Sequence, residues 1–350
     1  LQNANNRDWI IAVLVIRPVQ IDDLDDIARL AALAGEGMTS LPQDRGALAA
    51  NIESAVQSFH RSEPDPADYF LLVMEDRNSG RVVGTAAVYA RTGARQAFYA
   101  YRLMSVTHYS HSLSLETRST LLHLTNDYTD HSEMGTLFLD PAYRGNGHWL
   151  SRSRYLLLGL FPERFAEHVI AELRGWLDES GESPFWQAIG AQFFAMPYAE
   201  ADRLCGVGSN QFITELMPKY PIYTNLLPRS AQQVIGKPHD ATRRAMQLLL
   251  DEGFEYENLV DIFDGGPLVR ARVERLRSVE AMRVLPCEVM TEPAKGHEPV
   301  VVASTRLPRL SVQLAPAHIQ GDKVHLSEIT AQTLGVSSGE DVAVLPALEN

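Results

Sequence analysis

The sequence predicts an α/β (α+β) fold: a mixed, mostly antiparallel sheet flanked by helices, followed by a small C-terminal β domain. Three observations lead there. From Leu14 a strand-like run passes into an apolar-periodic helix, which is a β–α opening. Two further apolar runs flank a turn at Asn78-Ser79-Gly80, the mark of an antiparallel pair. After Arg283 helical periodicity gives way to prolines and then to short β-type runs.

Taken in order, Leu14–Val19 reads as the first strand, with Asp22-Asp23 starting a helix whose apolar stripe is Ile27, Leu30, Ala31 and Ala34. A second helix covers Ala47–Phe59, and Pro64 and Pro66 break the chain before a strand over Tyr69–Glu75. The turn at Asn78-Ser79-Gly80 leads into its partner, Val82–Tyr89. Phe98–Thr107 is strand-like, and a polar segment rich in His, Ser and Thr separates it from a short apolar strand over Met134–Leu139. Helical spacing returns over Gly147–Leu160, a strand follows over Val169–Trp176, and Ser183-Pro184 opens another helix, proline being well tolerated in a first turn. A looser echo of a helix, glycine and aromatic residue at Ala245–Phe254 is read as an ordinary helix end before a strand.

Pro286–Pro299 reads as a linker. Beyond it lie strands over Val300–Ser304 and Leu310–Leu314, then Val324-His325-Leu326-Ser327 entering a short helix, a turn at Gly339-Glu340-Asp341 and a closing run Val342-Ala343-Val344. The resulting boundaries are an N-terminal segment over 1–13, a main domain over 14–285 and a small β domain over 290–350. The chain opens with Leu, not Met, so its first residues are read as a processed or appended end outside the fold.

With 45% hydrophobic and 21% charged residues among 350, the composition is that of a soluble globular protein of about two domains. The longest apolar stretches, such as Ile10–Ile16 and Tyr155–Phe161, fall well short of the roughly 20 residues that span a bilayer, so no membrane partner is expected. The N-terminus lacks the basic-then-apolar pattern of a secretion signal. Cys205 and Cys287 are too few for a disulfide framework and too far apart for a metal pair, which fits a reducing, cytoplasmic location. The net charge of −13 argues against nucleic acid as a partner and suits a cationic small substrate. An anionic cofactor then needs a local positive site.

Such a site is offered by Thr136–Leu150, where a strand ends, Asp140-Pro141 turns, and Arg144-Gly145-Asn146-Gly147 opens a helix. Glycines let the backbone approach an anion, and the unpaired amides of a helix start donate to it with a favourable dipole. This loop resembles the Arg/Gln-x-x-Gly-x-Gly/Ala element of GNAT acyltransferases, which wraps the pyrophosphate of coenzyme A, with Trp149 where a small residue is usual. Ser183–Gly190 with Phe193-Phe194 resembles the second GNAT motif, and the strand, helix, helix and antiparallel pair at the start follow the GNAT-like order. In that motif a Tyr commonly protonates the departing thiolate. Trp186 has only an indole N–H and cannot, so another acid is needed.

The resemblance becomes specific in a series of blocks: Met38–Pro42, Thr136–Pro141, Ser183–Trp186, Glu215–Lys219 with Pro221-Ile222-Tyr223, Val234-Ile235-Gly236 with His239, and Asp261–Pro267. In this order, over roughly residues 14–285, they resemble the arginine N-succinyltransferase family. The resemblance implies transfer of a succinyl group from succinyl-CoA, a cosubstrate and not a resident cofactor, to the α-amino group of L-arginine, with ornithine a possible acceptor. It further implies acyl-CoA contacts at Leu137, with Leu139 beside it and Arg144, Gly145, Asn146 and Gly147 in the loop, and a proton donor at His239, where the neighbouring proline precedes the histidine and in the family usually follows it. The family's two-subunit versions include an α chain with a C-terminal extension, so a homo-oligomer or a heteromer with a related subunit is expected, and the extra tail is read as packing or assembly and not DNA binding.

The acceptor's guanidinium and ammonium call for carboxylates and its carboxylate for a cation. Candidates near the motifs are Asp127, Glu133, Asp261 and Asp264 for the first task, and Arg102 or Lys219 for the second. His108, His111, His123 and His131 do not share one face, and no metal is expected. A competing expectation is a noncatalytic subunit that kept the fold and lost part of the machinery, motivated by Trp149, the shifted proline and the tail.

Overall fold

The computed structural model describes residues 14–35, 38–95, 97–198, 200–201, 204, 211–291 and 299–346. They form two compact units: the first is drawn from Leu1–Ala90, Gly135–Phe165 and Val273–Asn350, the second from Arg91–Met134 and Ala166–Arg272. The expected segment 1–13, Cys205 and residues 292–298 of the expected linker lie outside the described residues.

In the first unit β1 (Leu14–Pro18) pairs antiparallel with β2 (Tyr69–Asp76), and β2 with β3 (Arg81–Tyr89). Both faces of β2 and β3 are covered, which is why they read as unbroken apolar runs. One cover is a helix pair. α1 (Leu24–Ala34) turns Ile27, Leu30 and Ala31 inward, and α2 (Arg45–His60) adds Leu48, Ile52 and Ala55 against Leu71, Val73 and Val82. Asp44 caps α2 by accepting the Ala47 N–H at 2.7 Å. Beyond β3 runs β6 (Ser132–Leu139), whose Gly135–Leu139 portion belongs to this unit, and then α3 (Gly147–Leu160).

The C-terminal strands of this unit surround their own apolar cluster, which includes Leu285, Cys287, Val302, Val324, Leu334 and Val344. They are β11 (Arg283–Met290), β12 (Pro299–Ser304), β13 (Val312–Pro316), β14 (His318–Gln320), β15 (Lys323–Ser327) and β16 (Asp341–Pro346), with a short helix over Glu328–Leu334. β13 meets β1 at Val312 and Ile16. Arg152 of α3, itself buried, donates to Ser278 Oγ at 3.1 Å and to the Pro346 carbonyl at 2.6 Å, which ties the helix to the closing strand. The linker reading is corrected here, because its first part is strand. β11 pairs antiparallel with β16 over Arg283–Pro286 and parallel with β15 over Cys287–Met290. Pro286, which has no N–H to give, sits at that change of partner.

In the second unit Ser132–Met134 of β6 pairs in parallel with β7 (His168–Glu172), followed across the sheet by β10 (Pro267–Arg272), β9 (Glu255–Val260), β4 (Ala100–Ser110), β5 (Leu115–Thr125) and β8 (Ile222–Tyr223). The expected strand over Val169–Trp176 ends at Glu172, with an isolated bridge from Gly175 to Pro238 beyond it. β5 was read as a polar segment. Its first residues are exposed, so it is a strand by pairing with β4 along its length and not by burial, and burial is what periodicity detects. The core is built on Trp186, fully buried, stacked on Phe194 and donating its indole N–H to the Met196 carbonyl at 3.0 Å.

The two units have the mixed, mostly antiparallel, helix-flanked sheets expected of the GNAT-like class. Among the described residues no helix is long and apolar enough to cross a membrane. Gly84 of β3 has no room for a side chain: a Cβ there would lie 2.9 Å from Leu139 Cδ1 and from Leu150 Cδ2, and 3.1 Å from the Phe138 carbonyl. Gly84→Ala is therefore expected to cost roughly 1–3 kcal/mol, read as a lower denaturant midpoint at unchanged slope.

Candidate active site

Burial alternates along β6 until Thr136, and the next three residues are all half-buried. The cause is backbone: Thr136 has φ 51°, a left-handed conformation that a β-branched residue rarely adopts. It is held there on three sides. The Tyr69 hydroxyl lies 3.1 Å from Thr136 Oγ1, that Oγ1 donates to the Ser40 carbonyl at 3.4 Å, and the Thr136 carbonyl accepts from Thr85 Oγ1 at 2.9 Å. Tyr89 stacks on Tyr69, and Gly135 lets its ring approach, since a Cβ there would lie 2.8 Å from Tyr89 Cε2. A left-handed residue inside a strand breaks the pleat and re-aims the groups that follow. The first of these is the Leu137 amide.

The loop after β6 is pinned at both ends. Asp140 accepts the Ala142 N–H at 3.0 Å and pairs with Arg29 at 2.6 Å, contacts that hold its carboxyl below the usual range, and the Tyr143 hydroxyl donates to Asp76 at 2.7 Å. Arg144 and Gly145 are exposed, and Gly145 has φ 101°, which explains the glycine although a Cβ would meet nothing within 4 Å. Asn146 does not cap α3. Its Nδ2 donates to the Tyr143 carbonyl at 2.9 Å and its Oδ1 accepts from Trp149 Nε1 at 3.3 Å. Trp149 is thus turned into the core, and Asn146 gives the helix start no side-chain acceptor, the arrangement an anion needs.

In the second unit His239 begins a turn of 3₁₀ helix. Its N–H donates to the Arg174 carbonyl at 2.8 Å, and its Nδ1 accepts from the Ala241 N–H at 3.2 Å. That bond assigns the neutral ring's proton to Nε2, which is left as the donor. The preceding segment is fixed by Gly236, whose N–H donates to the Gly265 carbonyl at 2.8 Å.

The candidate carboxylates separate. Asp127 and Arg102, expected in opposite roles, pair with each other at 2.6 Å, and the Thr125 hydroxyl and Arg102 hold the Asp127 carboxyl low. Asp261 accepts the N–H groups of Phe263 and Asp264 at 2.7 and 2.9 Å, and Asp264 those of Gly175 and Gly266 at 2.7 and 2.8 Å. Burial raises both carboxyls, and the Asp264 charge raises Asp261 further. They build the turn against residues 173–175. Lys219 is exposed. Glu133 differs from all of these: half-buried on β6, it makes no ion pair or hydrogen bond among the described residues, and burial pushes its carboxyl up to about 7.

Leu137, Leu139 and the Arg144–Gly147 loop therefore lie in the first unit, and His239, Glu133, Asp127, Arg102 and Asp261 in the second. Thr136, Tyr69 and Arg174 were not singled out from the sequence. No pattern of residue types signals a left-handed threonine or a backbone carbonyl that seats a histidine.

A model of the family described as arginine N-succinyltransferase beta subunit matches residues 14–278. The arginine N-succinyltransferase of Enterobacter sp. (strain 638) is 39% identical over 336 residues, 95% of this chain and 97% of its own. That of Shigella flexneri serotype 5b (strain 8401) is 39% identical over 337 residues with the same coverage. Among solved structures, arginine/ornithine succinyltransferase subunit AI from Pseudomonas aeruginosa matches with a TM-score of 0.87 at 34% identity, covering 96% of this chain and 99% of that one.

Thr136→Val keeps the shape and removes the hydroxyl that joins Tyr69 to Ser40. The expected loss is about 1–3 kcal/mol of stability, measured by denaturant unfolding, with Thr136→Ser close to the parent.

Proposed function

This chain belongs to the arginine N-succinyltransferase family, and from that premise we propose that it transfers the succinyl group of succinyl-CoA to the α-amino group of L-arginine by direct attack, without a covalent enzyme intermediate. It is an acyltransferase, and the reading of a noncatalytic subunit is not favoured, since the match runs along nearly the whole length of relatives named as the transferase.

The observation that carries the proposal is the uncapped start of α3 placed directly after the kinked strand. Arg144 and the first-turn amides from Gly147 offer donors to the pyrophosphate of the acyl donor. Leu137 N–H, following the left-handed residue, is suited to polarise the thioester carbonyl and hold the oxyanion formed on attack. In the second unit His239 protonates the departing thiolate from Nε2 as the imidazolium, the charged form in which Nδ1 no longer accepts the Ala241 N–H. Glu133 accepts the proton that the acceptor's ammonium must lose, since a carboxyl raised to about 7 exchanges a proton near neutral pH. Asp127, Arg102 and Asp261 are left to structure, each being engaged already. The enzyme is assigned to the cytoplasm and to an oligomer, the solved relative being described as a subunit.

Purified chain with succinyl-CoA and L-arginine should release free thiol, and acetyl-CoA should serve worse; no release with the chain folded would sink the proposal. His239→Ala is expected to lower kcat by about 10²–10⁴. Because Glu133 acts only when deprotonated, activity should rise with pH through about 7 on its acid limb. Glu133→Gln should remove that limb along with most of the rate, whereas a limb that survives unchanged would assign the base elsewhere.

A further inference from the structure

Several basic side chains of the second unit are held in ion pairs. Arg102 meets Asp127, Arg270 meets Glu257 at 2.6 Å, Arg243 meets Asp240 at 2.7 Å, and Arg91 meets Asp130 at 3.2 Å. Arg174 differs from these in being unpartnered where it is buried. Its Nε is buried with no hydrogen-bond partner, and among the described residues its guanidinium makes no ion pair. The neighbouring carboxylate does not fill the gap: Asp264 feels the Arg174 charge, yet its two oxygens are taken by the amides of Gly175 and Gly266.

A buried donor left unmade costs free energy, so an arginine in this state contributes little to folding. Its position is suggestive of another use. The Arg174 carbonyl accepts the His239 N–H at 2.8 Å and the Thr242 hydroxyl at 3.4 Å, and Gly175 bridges to Pro238. On the same pair of segments Lys237 Nζ lies 5.0 Å from the centroid of Trp176. Two cations thus accompany the proposed proton donor in a chain of net charge −13. A planar guanidinium with an unused Nε–H edge matches a carboxylate through two parallel hydrogen bonds.

We infer that Arg174 binds a substrate carboxylate beside His239 and is a specificity-determining residue of the transfer reaction. This rests on the succinyl-to-arginine reading above, which provides two carboxylates, the free end of the succinyl group and the α-carboxylate of the acceptor.

The test compares the parent, Arg174→Met and Arg174→Lys as full chains of equal melting temperature. One arm sets succinyl-CoA against butyryl-CoA, which lacks the terminal carboxylate, with arginine as acceptor. The other sets arginine against agmatine, which lacks the α-carboxylate, with succinyl-CoA as donor. The parent's preference for one carboxylate-bearing substrate, as a ratio of kcat/KM, should fall about 10- to 100-fold in Arg174→Met, the size of a charge-assisted pair, and less in Arg174→Lys, which keeps the charge and loses the fork. The arm that moves identifies the carboxylate. If both ratios hold in Arg174→Met while the parent is active, the assignment of Arg174 falls alone, even if overall rate drops. If Arg174→Met does not fold, unchanged ratios in Arg174→Lys overturn it equally. A parent inactive with succinyl-CoA and arginine removes both this inference and the reading on which it rests.

Discussion

A threonine at φ 51° inside a strand is an unfavourable choice, of the order of 1–3 kcal/mol, and it persists only where the surroundings over-determine it. The first unit supplies those surroundings from distant parts of the chain. The Met38–Pro42 loop presents the Ser40 carbonyl, β2 the Tyr69 hydroxyl, and β3 both Thr85 and the ring of Tyr89. The helix pair and the doubly covered strands can be understood as the frame that keeps these groups in register. Without the kink β6 would continue its alternation, and the Leu137 amide would point as any ladder amide does.

The acidic character of the chain has a different meaning from the one net charge suggests. Many carboxylates are acceptors for backbone N–H groups: Asp44 at a helix start, Asp76 and Asp140 at strand ends, Asp178 in a turn, and Asp261 with Asp264 around Gly175. Others, such as Asp26 with Arg81 and Glu257 with Arg270, are engaged by arginines. What remains to act on a substrate is defined by lack of a partner and not by sign.

Much of the fold was legible because burial and periodicity coincide in it. β1, β2, β3, α1, α2 and α3 bury one face or both, and their apolar patterns show it. β5 and β11 escaped detection because pairing, not burial, makes them strands, and in β11 a proline disguises the run. At the candidate site the glycine loop and His239 could be read from residue type and spacing. The pairing of Asp127 with Arg102, 25 positions apart, could not, nor could the solitary state of Arg174, because each depends on where other chain segments pass.

Neither unit is a contiguous piece of sequence. β1 stands near the start of the chain, yet its neighbour β13 enters only at Val312, and the first unit takes up residues again at Gly135 and at Val273. During synthesis the ribosome therefore releases an incomplete layer in which β1 stays without its mate until Val312 has emerged. Long-range closure of this kind is slow and leaves adhesive edges exposed. A chain halted before Val312 would leave β1 uncovered as surely as a lesion beside it.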